Sequence, residues 1–207
     1  LIISDSYIHN SATVGIQLSG ATRRSFSHND LDALETILAE TSGKYRATLV
    51  VVEGHYSMDG DIPDLKRLVE LKKQYGFWLM VDEAHGLGCI GATGKGVREV
   101  YNIDGSAVDI WMGTLSKSLG STGGYVAGSA ALIDIMKYEA PGSVYSVALA
   151  PNLAAAALES LEILEAEPER VARLQHNGMF FLKTARDAGL DTGLSIGSSI
   201  VPVIVGH

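Results

Sequence analysis

Three short clusters of polar residues, each following an apolar run, contain the residue types from which an active site could be built. Their sequences are Glu-Gly-His-Tyr-Ser-Met-Asp-Gly at 53–60, Asp-Glu-Ala-His at 82–85 and Gly-Thr-Leu-Ser-Lys-Ser-Leu-Gly at 113–120. Lys117 lies among small residues whose hydroxyl and backbone N–H groups suit an anion such as phosphate. Asp82 ends an apolar run, where a carboxylate is costly to bury unless it meets a cation.

These groups together favour one kind of chemistry. A lysine nucleophile, a phosphate-binding loop and a buried acid aimed at a protonated ring nitrogen are what a protein supplies to pyridoxal 5'-phosphate, PLP. Each residue alone has an ordinary structural interpretation, since most lysines are solvated and an aspartate after a strand is commonly a turn former. The prediction of a PLP site therefore depends on the combination of the three clusters.

The elements that position these clusters are predicted from the spacing of apolar residues. Helices are predicted at 30–40 (with Asn29 or Asp30 as N-cap), 63–76, 129–137, 153–165 and 167–188. Strands are predicted at 1–3, 47–52, 77–81, 110–112, 125–127 and 200–205, and the runs at 77–81, 110–112 and 125–127 are expected to be buried. This alternation predicts an α/β fold with a mostly parallel sheet and helices on both faces. Ligands of such sheets lie beyond the carboxyl ends of the strands, where the clusters fall.

Composition excludes several other classes of protein. The 207 residues are 46% apolar and 19% charged, which is typical of a folded globular chain and not of a disordered one. The single cysteine, Cys89, excludes a disulfide framework and multi-cysteine metal sites. The net charge of -8 argues against nucleic acid or an anionic membrane as partner. With no signal peptide or spanning segment recognisable, we expect a cytoplasmic protein.

Several motifs together resemble one family. Asp-Glu-Ala-His-Gly-Leu-Gly at 82–88 and Gly-Thr-Leu-Ser-Lys-Ser at 113–118 resemble the α-oxoamine synthases, PLP-dependent enzymes of fold type I. The segments at 4–11, 26–30 and 53–61 resemble further blocks of that family in the same order, so the resemblance covers the whole chain. It implies the large domain of an aspartate aminotransferase-like transferase, and a homodimer with its active site at the subunit interface.

The resemblance implies catalytic roles for Lys117 and His9. Lys117 would bind PLP covalently and then act as acid and base, and His9 would stack on the cofactor ring. Asp82 would pair with the ring nitrogen, which is physically coherent because opposite charges each favour the other's ionised form. Lys117 must be neutral to attack as an amine, and desolvation favours that form.

Three further residues are implied to bind the cofactor. His85 and Ser57 would lie near its phenolic oxygen, and Thr114 would contact its phosphate. The loop at 145–148 departs from the family pattern, because Val147 and Ala148 lack a hydroxyl and Ser146 is the only serine or threonine there for a partner subunit's phosphate.

The reaction implied by the resemblance is an acyl transfer. An amino acid condenses with an acyl thioester, supplied by coenzyme A or an acyl-carrier protein, and loses carbon dioxide to give an α-amino ketone. A PLP-dependent aminotransferase of the same fold is the alternative. A more distant alternative is a nucleotide-binding ATPase, because 82–85 also spells a helicase-type box, although no Gly-x-x-x-x-Gly-Lys-Ser/Thr loop precedes it.

The resemblance also predicts how the chain is organised. Residues 1–190 correspond to a PLP-binding large domain truncated on its N-terminal side, and 191–207 to the start of a C-terminal small domain. A phosphate-binding turn upstream and a carboxylate-binding arginine downstream, both usual in the family, are expected to lie outside these residues. Whether this chain alone is active is left open by the sequence.

Overall fold

A computed structural model describes residues 1–206, and His207 lies outside the described residues. Six strands form one sheet in the order β2-β1-β3-β4-β5-β6. The strands are β1 Ile2–Asp5, β2 Arg23–Phe26, β3 Leu49–Glu53, β4 Trp78–Asp82, β5 Ile110–Thr114 and β6 Gly124–Gly128. The helices are α1 Asn10–Leu18, α2 Leu31–Thr41, α3 Leu65–Tyr75, α4 Val97–Val100, α5 Ala130–Glu139, α6 Pro141–Val144, α7 Pro151–Ala166 and α8 Glu169–Asp187, with one 3-10 turn at Gly105–Ala107.

The sheet is parallel except at one edge, which confirms the predicted mostly parallel arrangement. Strands β1 to β5 pair in parallel, and β6 pairs with β5 in the antiparallel direction. In the register of β3 and β4, the last residues Glu53 and Asp82 are direct neighbours. The carboxyl ends of the central strands therefore lie side by side at one edge of the sheet.

One face of the sheet forms the main core. Ile3, Val50 and Leu79 are neighbours in register and fully buried. They belong to one apolar cluster with buried side chains of α2 and α3, namely Leu31, Leu34, Leu38, Leu65 and Leu68. Because side chains alternate along a strand, Ser4 points to the opposite face, where it lines a pocket with Ile16 of α1. Helices thus lie against both faces, as predicted.

Capping residues account for the start of helices α2 and α3 and for the end of α3. Asp30 is the N-cap of α2, accepting a hydrogen bond from the Ala33 N–H at 2.9 Å. Helix α3 begins after its N-cap Asp64, slightly later than the predicted start at Pro63. It ends at Gly76, whose φ of 69° is accessible to glycine at little cost.

Four of the predicted strands need correction. Residues 200–205 form no strand, because within residues 1–206 they have no strand partner, and the Ile204 N–H donates instead to the Asp191 carbonyl at 2.8 Å. The run at 125–127 lies in β6 but is not buried, because β6 pairs only with β5 and is an edge strand. The run at 110–112 is only partly buried, and Trp78 is 48% exposed although Leu79 and Val81 of the same strand are fully buried.

The long helices α7 and α8 complete the described chain. Gln175 of α8 donates hydrogen bonds to the carbonyls of Cys89 and Gly91, at 3.1 and 2.8 Å, and so joins α8 to the loop that follows β4. None of the helices within residues 1–206 combines the length and apolar character needed to cross a bilayer.

Candidate active site

The carboxyl ends of β3, β4 and β5 bring the three sequence clusters together. Glu53, Asp82 and Thr114 are the last residues of these neighbouring strands. Backbone hydrogen bonds continue past the strand ends, since the Gly54 N–H donates to the Asp82 carbonyl at 2.8 Å. The loops that leave these strands are therefore held beside each other at the predicted ligand-binding edge.

Lys117 and His85 are in direct contact. The Lys117 Nζ lies 2.8 Å from His85 Nε2 and 3.3 Å from Nδ1. Burial, and then the positive charge of Lys117, lower the pKa of His85 to about 4. His85 is therefore neutral near pH 7 and offers a nitrogen lone pair to the lysine amine.

A second contact fixes the Lys117 loop to the loop that follows β4. The Ser118 hydroxyl donates to the Leu87 carbonyl at 2.6 Å. Gly88 permits this approach, because a Cβ at that position would lie 2.7 Å from the Ser118 Cβ, and its φ is 79°. The loop that carries Lys117 is thus held against the loop after β4, which carries His85, by close backbone packing.

Asp82 is a buried acid without a cation in contact. One oxygen, Oδ1, accepts a hydrogen bond from the Ala84 N–H at 2.8 Å. No ion pair within residues 1–206 includes Asp82. Burial raises its pKa, an effect opposed by the Ala84 hydrogen bond and by the charges of Lys117 and His9. A cation placed against this carboxylate would offset its desolvation.

Glu53 is a second buried acid that the sequence interpretation missed. It is 2% exposed, its Oε2 accepts a hydrogen bond from the Ser57 N–H at 3.2 Å, and its buried Oε1 has no partner. Burial, followed by the negative charge of Asp82, raises the pKa of Glu53 to about 7. The available signal was that Glu53 and Asp82 each end a predicted strand of a parallel sheet.

Ser57 contacts Glu53 through its backbone N–H, and His9 lies at the start of α1. His9 is the N-cap of α1, where its Nδ1 accepts from the Ser11 N–H at 3.2 Å and lies 2.8 Å from the Ser11 hydroxyl. His9 follows β1, whose parallel pairing with β3 places it at the same end of the sheet as Glu53. The His9 ring is exposed and is held by α1, and no hydrogen bond joins it to Lys117 or His85.

Thr114 is turned toward its own loop. Its hydroxyl lies 2.8 Å from the Ser116 hydroxyl, donates to the Gly123 carbonyl at 3.1 Å and accepts from the Ser116 N–H at 3.2 Å. Ser146 lies in an exposed turn, where its hydroxyl donates to the Ser143 carbonyl at 3.2 Å. Thr114 is therefore one of a pair of neighbouring hydroxyls beside Lys117, whereas Ser146 contacts none of the predicted site residues.

Glu83, directly after Asp82, explains three of the many glycines. Its Oε1 accepts from the Val97 N–H at 2.7 Å. A Cβ at Gly54, Gly86 or Gly96 would come within 2.8, 1.8 and 2.4 Å of the Glu83 carboxyl group, respectively. This carboxyl is enclosed by backbone, and its burial raises its pKa to about 7. The Glu83 side chain therefore packs between the loop after β3, at Gly54, and the loop after β4, at Gly86 and Gly96.

With this geometry, the comparisons with known proteins define the family. Residues 1–205 match the family model of aminotransferases of class I and II, and the chain belongs to this family. The relatives that it resembles are PLP-dependent α-oxoamine synthases. The 8-amino-7-oxononanoate synthase of Symbiobacterium thermophilum is 42% identical over 205 residues, which cover 99% of this chain and 52% of that protein. Serine palmitoyltransferase 3 of Mus musculus is 36% identical over 219 residues, covering 99% and 39%. The chain thus spans about half the length, or less, of these relatives.

Solved structures agree with this assignment. A serine palmitoyltransferase with PLP superimposes with a TM-score of 0.92 at 33% identity, covering 100% of this chain and 52% of that one. The 8-amino-7-oxononanoate synthase of Francisella tularensis gives 0.78 at 31% identity, covering 92% and 54%. The predicted transferase fold is confirmed. The match of residues 1–205 to the aminotransferase family excludes the ATPase alternative for residues 82–85, of which Asp82 ends β4 and 83–85 begin the loop that follows.

Proposed function

We propose that this chain binds PLP and forms part of an acyltransferase that joins an amino acid to an acyl thioester. The products would be carbon dioxide, the free thiol and an α-amino ketone. The observation that carries the proposal is the 2.8 Å contact between the Lys117 amine and a neutral His85, at the sheet edge that also holds the buried acid Asp82. The names of the similar synthases and palmitoyltransferases support the reaction class.

The residues present fit the cofactor. A buried carboxylate without a cation in contact suits the protonated ring nitrogen of PLP, and an exposed amine beside it suits the aldehyde carbon. When bound, PLP supplies an electron sink for the negative charge that develops at the amino acid Cα. Asp82 would hold the proton on the ring nitrogen, and Lys117 would bind the cofactor covalently and afterwards move the proton at Cα.

The protonation of the two buried acids, Glu53 and Asp82, is linked, because the negative charge of Asp82 raises the pKa of Glu53. With a cation against Asp82, that carboxyl is the ionised member of the pair, and Glu53, whose pKa is about 7, is the protonated one. A proton on Glu53 prevents two negative charges from being buried side by side at neighbouring register positions. Glu53 thus lets Asp82 remain charged toward the ring.

The remaining assignments follow the same edge of the sheet. We assign His9 to stacking on the cofactor ring, Ser57 and His85 to its phenolic oxygen, and Thr114 to its phosphate. The position of His9 at the start of α1, four residues after the end of β1, and the hydroxyl pair formed by Thr114 with Ser116 support these assignments.

We also propose the organisation and assembly of the protein. Residues 1–190 belong to the cofactor-binding large domain and 191–207 begin the small domain. A homodimer is supported by three exposed apolar side chains within the ten residues 138–147. They are Tyr138, Tyr145 and Val147, which are 79, 86 and 101% exposed. A cytoplasmic location accords with the single, unbridged Cys89.

An aminotransferase is the second candidate, favoured by the name of the matching family model. The two reactions differ in their products. We therefore propose incubating the PLP-loaded chain with carboxyl-labelled amino acids, in one series with acyl thioesters and in another with 2-oxo acids. Thioester-dependent release of labelled carbon dioxide supports the synthase, and formation of a new amino acid from the 2-oxo acid supports the aminotransferase. Loss of either activity in Lys117→Ala, but not in the exposed control Lys66→Ala, assigns it to this site.

A further inference from the structure

A buried histidine–serine pair lies directly behind His85 and has no part in the proposed chemistry. His55 is fully buried and Ser198 is 4% exposed. The His55 ring joins two separate parts of the chain. Its Nδ1 lies 2.9 Å from the backbone carbonyl of His85, and its Nε2 lies 2.6 Å from the Ser198 hydroxyl.

The two partners fix the tautomer of His55. A backbone carbonyl only accepts hydrogen bonds, so Nδ1 carries the proton and donates it to the His85 carbonyl. Nε2 is then an acceptor, and the Ser198 hydroxyl donates to it. Burial lowers the pKa of His55, which agrees with a neutral ring.

Ser198 itself is held by packing on two sides. Residues 195–200 lie between α8 and the turn at Gly60, and the Ile196 N–H donates to the Gly60 carbonyl at 3.2 Å. A Cβ at Gly178 of α8 would lie 2.0 Å from the Ser198 carbonyl oxygen, so the two backbones are in direct contact. The hydroxyl of Ser198 is therefore presented to His55 from a fixed position.

We propose that Ser198 and His55 form a positioning relay, which holds the backbone at His85 so that its ring faces the Lys117 amine. The inference rests on the proposed function, in which that amine binds PLP. Ser198 holds the His55 ring through Nε2, His55 anchors the His85 carbonyl through Nδ1, and the His85 ring contacts Nζ at 2.8 Å. The relay connects the segment at 191–206 to the site across 143 residues of sequence.

The relay is tested by NMR on the chain labelled with 15N at histidine, without PLP. The expected spectrum of His55 is that of one neutral tautomer, protonated at Nδ1 and unprotonated at Nε2. The signals are assigned with His55→Asn, whose side-chain NH2 can still donate toward the His85 carbonyl.

Two serines of the same segment provide matched variants. Ser198→Ala removes the donor to His55 and is expected to shift the Nε2 signal of His55 and the ring signals of His85, while the Nδ1–H tautomer set by the His85 carbonyl remains. Ser195 is equally buried, but its hydroxyl donates to the Ile200 carbonyl at 2.7 Å and not to His55. Ser195→Ala is therefore expected to leave the signals of His55 and His85 in place. Ser198→Thr restores a hydroxyl and is expected to restore the wild-type pattern.

Three results would overturn the relay: a His55 protonated at Nε2 in the wild-type chain, unchanged His85 signals in Ser198→Ala, or equal changes in Ser195→Ala. The wild-type tautomer is decisive even if Ser198→Ala fails to fold. Because these spectra need no cofactor, a chain that shows the relay but does not bind PLP refutes the proposed function alone. A chain that binds PLP on Lys117 without the His55 tautomer refutes the relay alone.

Discussion

His28 is predicted to be a buried cation that stabilises the fold through two acids. Its Nδ1 lies 3.1 Å from Asp5 and its Nε2 lies 2.9 Å from Asp61. The ring stacks on Tyr7 at 4.4 Å and meets Tyr56 edge-on at the same distance. Hydrogen bonds to both carboxylates outweigh burial and raise the pKa of His28 from 6.5 to about 10. The side chain is 8% exposed, so little solvent screens these pairs.

The magnitude follows from this shift. At about 1.4 kcal/mol per pKa unit, the shift corresponds to about 5 kcal/mol, which agrees with the ~3–5 kcal/mol lost when one partner of a buried ion pair is removed. His28→Gln is therefore expected to lower the free energy of unfolding by about 3–5 kcal/mol at pH 6.

The pH dependence has a definite sign. Because the folded-state pKa is raised, the native chain binds the extra proton between pH 6.5 and about 10. The stabilisation is complete below pH 6.5 and is lost as the pH rises toward 10. Urea unfolding across this range is expected to show a difference between wild type and His28→Gln that shrinks with rising pH.

An exposed histidine of α8, His176, supplies the control, and His176→Gln is expected to follow the wild type at every pH. A wild-type-minus-variant difference that stays constant from pH 6 to 10 would refute a charged His28.

Three further predictions concern the site. Gly86→Ala places a Cβ 1.8 Å from the Glu83 carboxyl and should lower the free energy of unfolding by about 1–3 kcal/mol, whereas Gly142→Ala, which meets open space, should leave urea unfolding nearly unchanged. Asp82→Asn should weaken PLP binding about 100-fold or more in an absorbance titration, because the ring nitrogen loses its buried counter-charge; equal affinity would count against this pairing. The same Asp82→Asn variant should lower the pKa of Glu53 below about 7 in carboxyl-carbon NMR titrations, because the negative charge of Asp82 raises it; an unchanged or higher pKa of Glu53 would contradict the coupling.

Local signals in the sequence were sufficient for α2, α3 and the strands that precede Asp82 and Lys117, but not for α1, which carries His9. Helix α2 is read from Asp30 and the leucines that follow it, and α3 from its apolar stripe and Gly76. The strand-end rule for parallel sheets places the clusters of Asp82 and Lys117 together, and the structure has them at one edge.

Features that depend on contacts between residues distant in sequence could not be predicted from local sequence patterns. Residues 200–205 have the composition of a strand, but pairing needs a partner that composition does not reveal. The exposure of β6 follows from its place at the edge of the sheet. The contact of His55 with Ser198 and the enclosure of Glu83 by glycines need the folded chain, because neither shows a local periodicity.

Covalent attachment of PLP to one lysine is the central claim, and peptide mapping tests it most directly. The chain is loaded with PLP, reduced with borohydride, digested, and analysed by mass spectrometry. We expect the cofactor mass on Lys117 alone, retained in Lys66→Ala and absent from Lys117→Ala. Cofactor mass on a different lysine of the wild-type chain, or undiminished labelling of Lys117→Ala, would contradict the account.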